Sequence, residues 1–333
     1  MSLTSHLKDP TSPVYRFVRE NFPNTRVVVR AANARLQGAQ TIRPEGAVHW
    51  STVGTAADYR IRYYLGPAHE AGAARHGARM LEGRMMRAGQ LEGLKESEVR
   101  AAFEALAAES EGFRDSVPGF FAGLEEILAR LRPWQKPRRL GSDDEALLCR
   151  HCAVLALFEQ VFRVGRVSPG SPLIEPEPAR GYDELLARVP DLWVEDLCVL
   201  SWSFFDSQEG LMRGAERVAL APTFEGSFDV GGADADSVLD GMLADVKATT
   251  SPKIAAEMIH QLLGYVLLDY SDRYGIREVA VYLARQASLV RWPLGGLLAE
   301  LGAPSALPDL REAFAATVRP LDECCKDIRP TAP

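Results

Sequence analysis

The sequence predicts an α/β protein: a mixed central sheet flanked by helices, with a large helical insertion. Two observations carry this. Residues 70 to 163 are rich in Ala, Leu, Glu and Arg, with apolar residues at helical spacing in SEVRAAFEALAAES (97–110), VPGFFAGLEEILARL (117–131) and DDEALLCRHCAVLALFEQVFR (143–163). From Arg217 the pattern changes to short β-branched runs bounded by turn residues, in the order strand, hairpin, helix, strand.

Taken in order, PVYRFVRENF and RVVVRAANARL predict helix from residue 12 to about 35, followed by a Gly/Pro-punctuated stretch to Trp50. VGTAADYRIRYYLG (53–66) predicts a helix opened by glycine, with Thr55 as N-cap and Tyr59 and Tyr63 one turn apart. After the helical block, VGRVSPGSPLIEPEPARG (164–181) predicts a long surface loop and YDELLARVPDLWVEDLCVLSWSFF (182–205) a further helix. RVALAPTF (217–224), ADADSVL (233–239) and MLADVKA (242–248) predict strands. A helix over 254–270 follows, then strands REVAVYLAR (277–285) and SLVRW (288–292), then closing helices. The whole chain, 1–333, is expected to be one domain, with 70–210 a mainly helical insertion and 217–295 the sheet-and-helix core.

Composition bounds the function classes. The chain is 47% hydrophobic and 25% charged, has no apolar run of membrane-spanning length and opens without a signal-peptide pattern, so a cytoplasmic protein is expected. Five irregularly spaced cysteines do not form a disulfide framework. A net charge of −7 argues against a protein that coats nucleic acid electrostatically, although an acidic total can hide a local basic groove. No phosphate-binding glycine loop is present, and Ser201, Ser203 and Asp206 lack the glycine-flanked serine and histidine partner of a hydrolase triad.

The informative segment is Gly231 to Lys247. Asp240-Gly241 between two β-patterned runs is a strong hairpin signal, because both central residues of a type I′ turn need positive φ. That register pairs Leu239 with Met242, Val238 with Leu243, Asp236 with Asp245 and Asp234 with Lys247. By strand alternation Asp234, Asp236, Asp245 and Lys247 then share one face. Carboxylates opposed in this way are tolerable in solvent or around a cation, and a hard divalent ion such as Mg2+, or Mn2+, is the natural occupant. Lys247 could orient or deprotonate a water, or stabilise charge at phosphorus. On the following helix Glu257, Gln261, Tyr265 and Asp269 recur every four residues, a polar stripe able to reach substrate.

GGADADSVLDGMLADVKATT followed by QLLGY resembles the PD-(D/E)XK nuclease superfamily, in its RecB-like and lambda-exonuclease-like branch, over about 40 residues. That branch joins a Gly-x-x-Asp strand, an acid-x-Lys strand and a helix bearing Gln-x-x-x-Tyr; here they correspond to Gly231 or Gly232 with Asp234 or Asp236, to Asp245-Val246-Lys247, and to Gln261 with Tyr265. The resemblance implies a restriction-endonuclease-like fold and metal-dependent hydrolysis of nucleic acid, DNA in the first instance, by an Asp/Asp/Lys centre. Asp236 and Asp245 would be metal ligands, with Asp234 beside them. Many relatives carry an early histidine ligand after a Gly-Thr helix start; Asp58 stands in that region here. The alternative is an inactive nuclease-fold protein that serves in binding or assembly, and a protein partner or homo-oligomer fits either reading.

Other features are weighed as structural. Cys149 and Cys152 share a helix face, but with Cys198, Cys324 and Cys325 they match no cluster or zinc spacing. LRPWQKPRR (131–139) and ARHGARMLEGRMMRAG (74–89) concentrate basic charge that solvated helix faces also explain, and His260 lies around the helix from Gln261.

Overall fold

A computed structural model describes residues 2–66, 68–82, 116–131, 137–168, 170–174 and 179–326, with side chains to 319. The predicted helix at 97–110, most of the basic run at 131–139 and the end of that at 74–89 lie outside the described residues. The chain divides into two compact units, Met1–Thr41 with Gly214–Pro333, and Ile42–Arg213. No helix among the described residues is long and apolar enough to cross a membrane.

The first unit is α/β. Its sheet has five strands in the order β1 (Val218–Leu220), β2 (Ser237–Leu239), β3 (Met242–Lys247), β4 (Glu278–Leu283) and β5 (Ser288–Pro293). Only β3 and β4 are parallel, and the sheet is therefore mixed. Parallel neighbours need a crossover, supplied here by the helix Ala256–Leu268, numbered α10 in chain order. β3 and β4 are central and nearly all apolar, with Leu243, Val279, Val281 and Leu283 fully enclosed. Helices α1 (Leu3–Lys8), α2 (Pro13–Asn21), α3 (Thr25–Arg35), α11 (Leu294–Leu301) and α12 (Leu307–Lys326) complete this unit, and Val14, Val18, Phe22, Leu262, Val266, Leu301 and Phe314 join its core.

The second unit is helical among its described residues: α4 (Trp50–Leu65), α5 (Gly72–Leu81), α6 (116–129), α7 (Ser142–Val164), α8 (Tyr182–Ala187) and α9 (Asp191–Gly214). It begins at Ile42, so the helix expected beside the sheet belongs with the helical block instead. A Cβ at Gly77 would lie 1.7 Å from the Phe158 carbonyl oxygen, so α5 and α7 pack at a distance only glycine permits. Arg60 and Glu145 are both enclosed and paired by two hydrogen bonds, from Nε at 2.7 Å and Nη2 at 2.9 Å.

Several expected boundaries move, each for a local reason. The helix over 12–35 is two helices, broken after Asn21 where Pro23 cannot continue the hydrogen-bond ladder. α4 starts at Trp50, with His49 bonded to the Thr52 hydroxyl at 2.7 Å, so Thr55 is an interior residue and not the N-cap. Pro190 separates α8 from α9. β1 is only three residues long because Ala221 takes φ 47° and Pro222 follows.

Candidate active site

The hairpin forms at the expected turn. Asp240 and Gly241 have φ of 49° and 86°, and Leu239 and Val238 face Met242 and Leu243. Asp240 carries a second duty: its carboxylate accepts from the backbone N–H of Glu216 and Arg217, which fastens β1 alongside. Gly241 is enforced twice, by its φ and because a Cβ would come within 2.7 Å of the Gly275 carbonyl oxygen.

Beyond Ser237 and Ala244 the ladder stops, and the expected pairings of Asp236 with Asp245 and of Asp234 with Lys247 are not made as backbone pairs. The reason is chemical. Asp236 Oδ2 accepts the N–H of Val246 at 2.6 Å, so a side chain takes the place of the next ladder bond. Asp234 instead forms an isolated bridge to Thr223, on the β1 side. The strand has thus given up its ladder where the acids begin, and Asp236 is held against β3 by its own carboxylate.

Asp245 is 2% exposed, and Lys247 Nζ lies 2.6 Å from its Oδ2. Among the described residues, the enclosed Oδ2 is met by that ammonium and by no other donor. Burial pushes the Asp245 carboxyl up to about 6, against the pull of Lys247 and with help from the Asp236 charge. Lys247 also donates to Gln261 Oε1 at 3.0 Å, and Gln261 Nε2 donates to the Tyr265 hydroxyl oxygen at 2.8 Å. An ammonium can only donate, which fixes the amide orientation and makes the Tyr265 oxygen the acceptor. Tyr265 is raised well above the ordinary phenol range by burial first, then by the charges of Asp245, Asp236 and Asp234.

Asp236, Asp245, Lys247, Gln261 and Tyr265 are brought together at the carboxyl end of β3 and the facing side of α10, with Asp234 adjoining. Asp58 lies in the helical unit, its carboxylate accepting from Arg62 Nε at 3.0 Å in an ion pair one turn along α4. His260 is buried against the Thr25 hydroxyl at 3.2 Å. Cys149, Cys152 and Cys198 are buried thiols, and among the described residues no group of three or more His, Cys, Asp and Glu could hold a metal.

Three neighbours went unforeseen in the sequence. Arg285, fully buried just past β4, donates from Nε to the Ala248 carbonyl at 3.1 Å. Gln286 donates to Thr41 Oγ1 at 3.1 Å and the Thr249 carbonyl at 3.4 Å, while its Oε1 is enclosed without a hydrogen bond. Asn33 of α3 clamps Ile254, donating to its carbonyl at 3.0 Å and accepting its N–H at 2.7 Å. These bonds hold the segment leaving Lys247. Their only sequence trace is polar residues at the ends of apolar runs.

Comparison with protein families, with curated proteins and with solved structures finds no match to this chain.

Proposed function

We propose that this protein is a divalent-cation-dependent nuclease with a restriction-endonuclease-like core, hydrolysing phosphodiester bonds of nucleic acid, in the first instance DNA. The observation that carries the reading is the contact file Asp245, Lys247, Gln261, Tyr265, with Asp236 fastened to the same strand. An isolated Asp-x-Lys on a surface hairpin would be solvated charge. Here the acid is enclosed, its Oδ2 meets, among the described residues, only the Lys247 ammonium, and the lysine is positioned by a helix.

The donor set fits a hard cation. Mg2+ takes one or two carboxylates and completes its sphere with water and phosphate oxygens, so Asp245 Oδ2 and the Asp236 carboxylate would suffice. Bound there, Mg2+ or Mn2+ would supply positive charge against phosphoryl oxygens and make the attacking water more acidic. Lys247 Nζ would orient that water or stabilise negative charge on phosphorus, and Gln261 Oε1 holds the ammonium in place. Because the Tyr265 oxygen accepts from Gln261, its own hydrogen is left to donate to a phosphate oxygen. Asp234 adds negative charge at the rim. No role is assigned to Asp58, whose carboxylate is paired with Arg62.

The test is incubation of the purified protein with linear, circular and single-stranded DNA and with RNA, in Mg2+, in Mn2+ and in chelator. Cleavage is expected in the metals and not in chelator, and is expected to be lost in Lys247→Ala. Cleavage that survives unchanged in Lys247→Ala refutes the mechanism. No cleavage of any substrate by the unaltered protein would leave the binding or assembly reading in its place.

A further inference from the structure

In a chain of net charge −7, α3 carries Arg26, Arg30 and Arg35 and no acidic residue. All three are exposed. Four other guanidinium groups of the same unit are tied to carboxylates, Arg217 to Asp240, Arg277 to Asp272, Arg291 to Glu278 and Arg311 to Asp269, while the exposed Arg16 and Arg19 of α2 make no ion pair among the described residues. Among the described residues, Arg26 and Arg30 make no ion pair.

Arg26 and Arg30 stand one helical turn apart on one face, and Asn33, seven residues from Arg26, continues that stripe. Like charges four residues apart destabilise a helix, and nothing in α3 offsets them. The stripe ends against the loop that follows β3. Asn33 is bonded in both directions to Ile254, the last step of the loop that leaves β3 after Lys247 and enters α10, and the residue before Ile254 is the exposed Lys253. α3 also packs directly against α10, the helix that presents Gln261 and Tyr265. A file of unneutralised cations therefore adjoins the loop between β3 and α10, the elements that carry Asp245, Lys247, Gln261 and Tyr265. Protein surfaces that follow a phosphodiester backbone are built in this way, from Lys and Arg without competing acids.

We propose that the α3 face bearing Arg26 and Arg30, continued by Lys253, receives the phosphodiester backbone of DNA and leads it to the carboxyl end of β3; this rests on the nuclease reading above. Arg35, on another face of the helix, is not part of the track.

The experiment compares Arg26→Gln/Arg30→Gln with Arg277→Gln/Arg291→Gln, a pair with equal loss of charge at exposed or half-buried, ion-paired positions of the same unit. Both pairs are made in full-length Lys247→Ala protein, and binding of a fluorescein-labelled DNA duplex is followed by anisotropy in Mg2+ across a salt series. Circular dichroism and the thermal midpoint establish that each variant folds. Losing two phosphate contacts lowers the slope of log affinity against log salt by about 2, equivalent to about a tenfold difference across a fourfold change of salt. That loss is expected for the α3 pair alone. In the lysine-containing protein the α3 pair is expected to raise KM for DNA and leave kcat unchanged. Equal slopes for the α3 pair and its parent, or the same loss in the control pair, would overturn the inference. If the unaltered protein cuts DNA and the α3 pair binds and cuts like it, only the track fails. If the unaltered protein cuts nothing, the nuclease reading fails and the anisotropy series still decides whether α3 holds the backbone.

Discussion

Exchanging Asp245 for Asn is expected to raise stability while removing cleavage. The carboxylate is 2% exposed, and among the described residues the single donor that reaches its Oδ2 is Lys247 Nζ at 2.6 Å. Burial opposed by Lys247 and reinforced by Asp236 lifts its pKa from 3.8 to about 6. A carboxyl whose folded pKa lies above its unfolded one keeps its proton longer in the folded state. Its contribution to stability is thus greatest below pH 3.8, is lost as pH rises towards about 6, and stays lost above that. At about 1.4 kcal/mol per pH unit between the two values, the ionised group costs about 3 kcal/mol at neutral pH. Asn removes that cost. The attraction of Lys247, which is 27% exposed and keeps its bond to Gln261, is already contained in that pKa and is not subtracted again. A gain of up to about 3 kcal/mol corresponds to a rise in thermal midpoint of up to about 6 to 12 °C for a unit of this size. Thermal denaturation in chelator, near pH 7 and again near pH 4, measures it, and the two proteins should converge at the lower pH. Mg2+ at about a hundredfold excess over its Kd should stabilise the unaltered protein by about 2.7 kcal/mol and leave the Asn variant where it was. An Asn variant less stable than its parent at neutral pH, or equal stabilisation of both by Mg2+, would refute the idea that a buried, under-satisfied carboxylate is kept for a cation.

Gly241→Ala should cost about 1 to 2 kcal/mol from the left-handed backbone alone, and more from the carbonyl of Gly275 in the way; a lower urea midpoint with diminished cleavage is the expected result. Arg60→Met strands the fully enclosed Glu145 and should destabilise the helical unit by about 3 to 5 kcal/mol, much of it recovered by adding Glu145→Gln, as urea titration would report. His151 is enclosed against Phe120 and Tyr182, and burial lowers its pKa to about 4 from 6.5. The unfolded chain takes that proton first, so stability of the helical unit should fall by about 3 kcal/mol as pH drops from about 6.5 to 4, with a shallower fall in His151→Phe.

The parts of this site that could be read from sequence are those whose chemistry is local. Asp240-Gly241 demands positive φ at adjacent residues, and only one tight turn satisfies that, so the facing of Val238 and Leu243 follows from two residues. Gln261 and Tyr265 meet because they are one turn apart on a helix whose other faces are apolar, a relation that needs no knowledge of the rest of the chain. The register failed at Asp236, and for an instructive reason. Extending a ladder by counting assumes that backbone groups pair with backbone groups, whereas a carboxylate one bond further out competes for the same N–H. The sequence therefore placed Asp245 on the right strand, whereas Asp234 and Asp236, expected within the strand 233–239, lie before β2 and make other contacts.

What stayed hidden depends on pairs far apart in the chain. Asn33 and Ile254 are separated by 221 residues, and neither type nor spacing marks them as partners. Yet that pair of bonds ties a helix of unneutralised arginines to the loop beside Lys247, and Arg285 and Gln286 secure the other side of the same loop. Read alone, α3 is an ordinary solvated helix with three arginines, and the chain's net charge of −7 argues against nucleic acid. Placement reverses the weight of that charge. Acids that converge on a hairpin contribute negative charge a cation can neutralise, and arginines left without acids are the groups free to meet phosphate. Net charge sums over both and so conceals the separation that a metal-dependent nuclease requires.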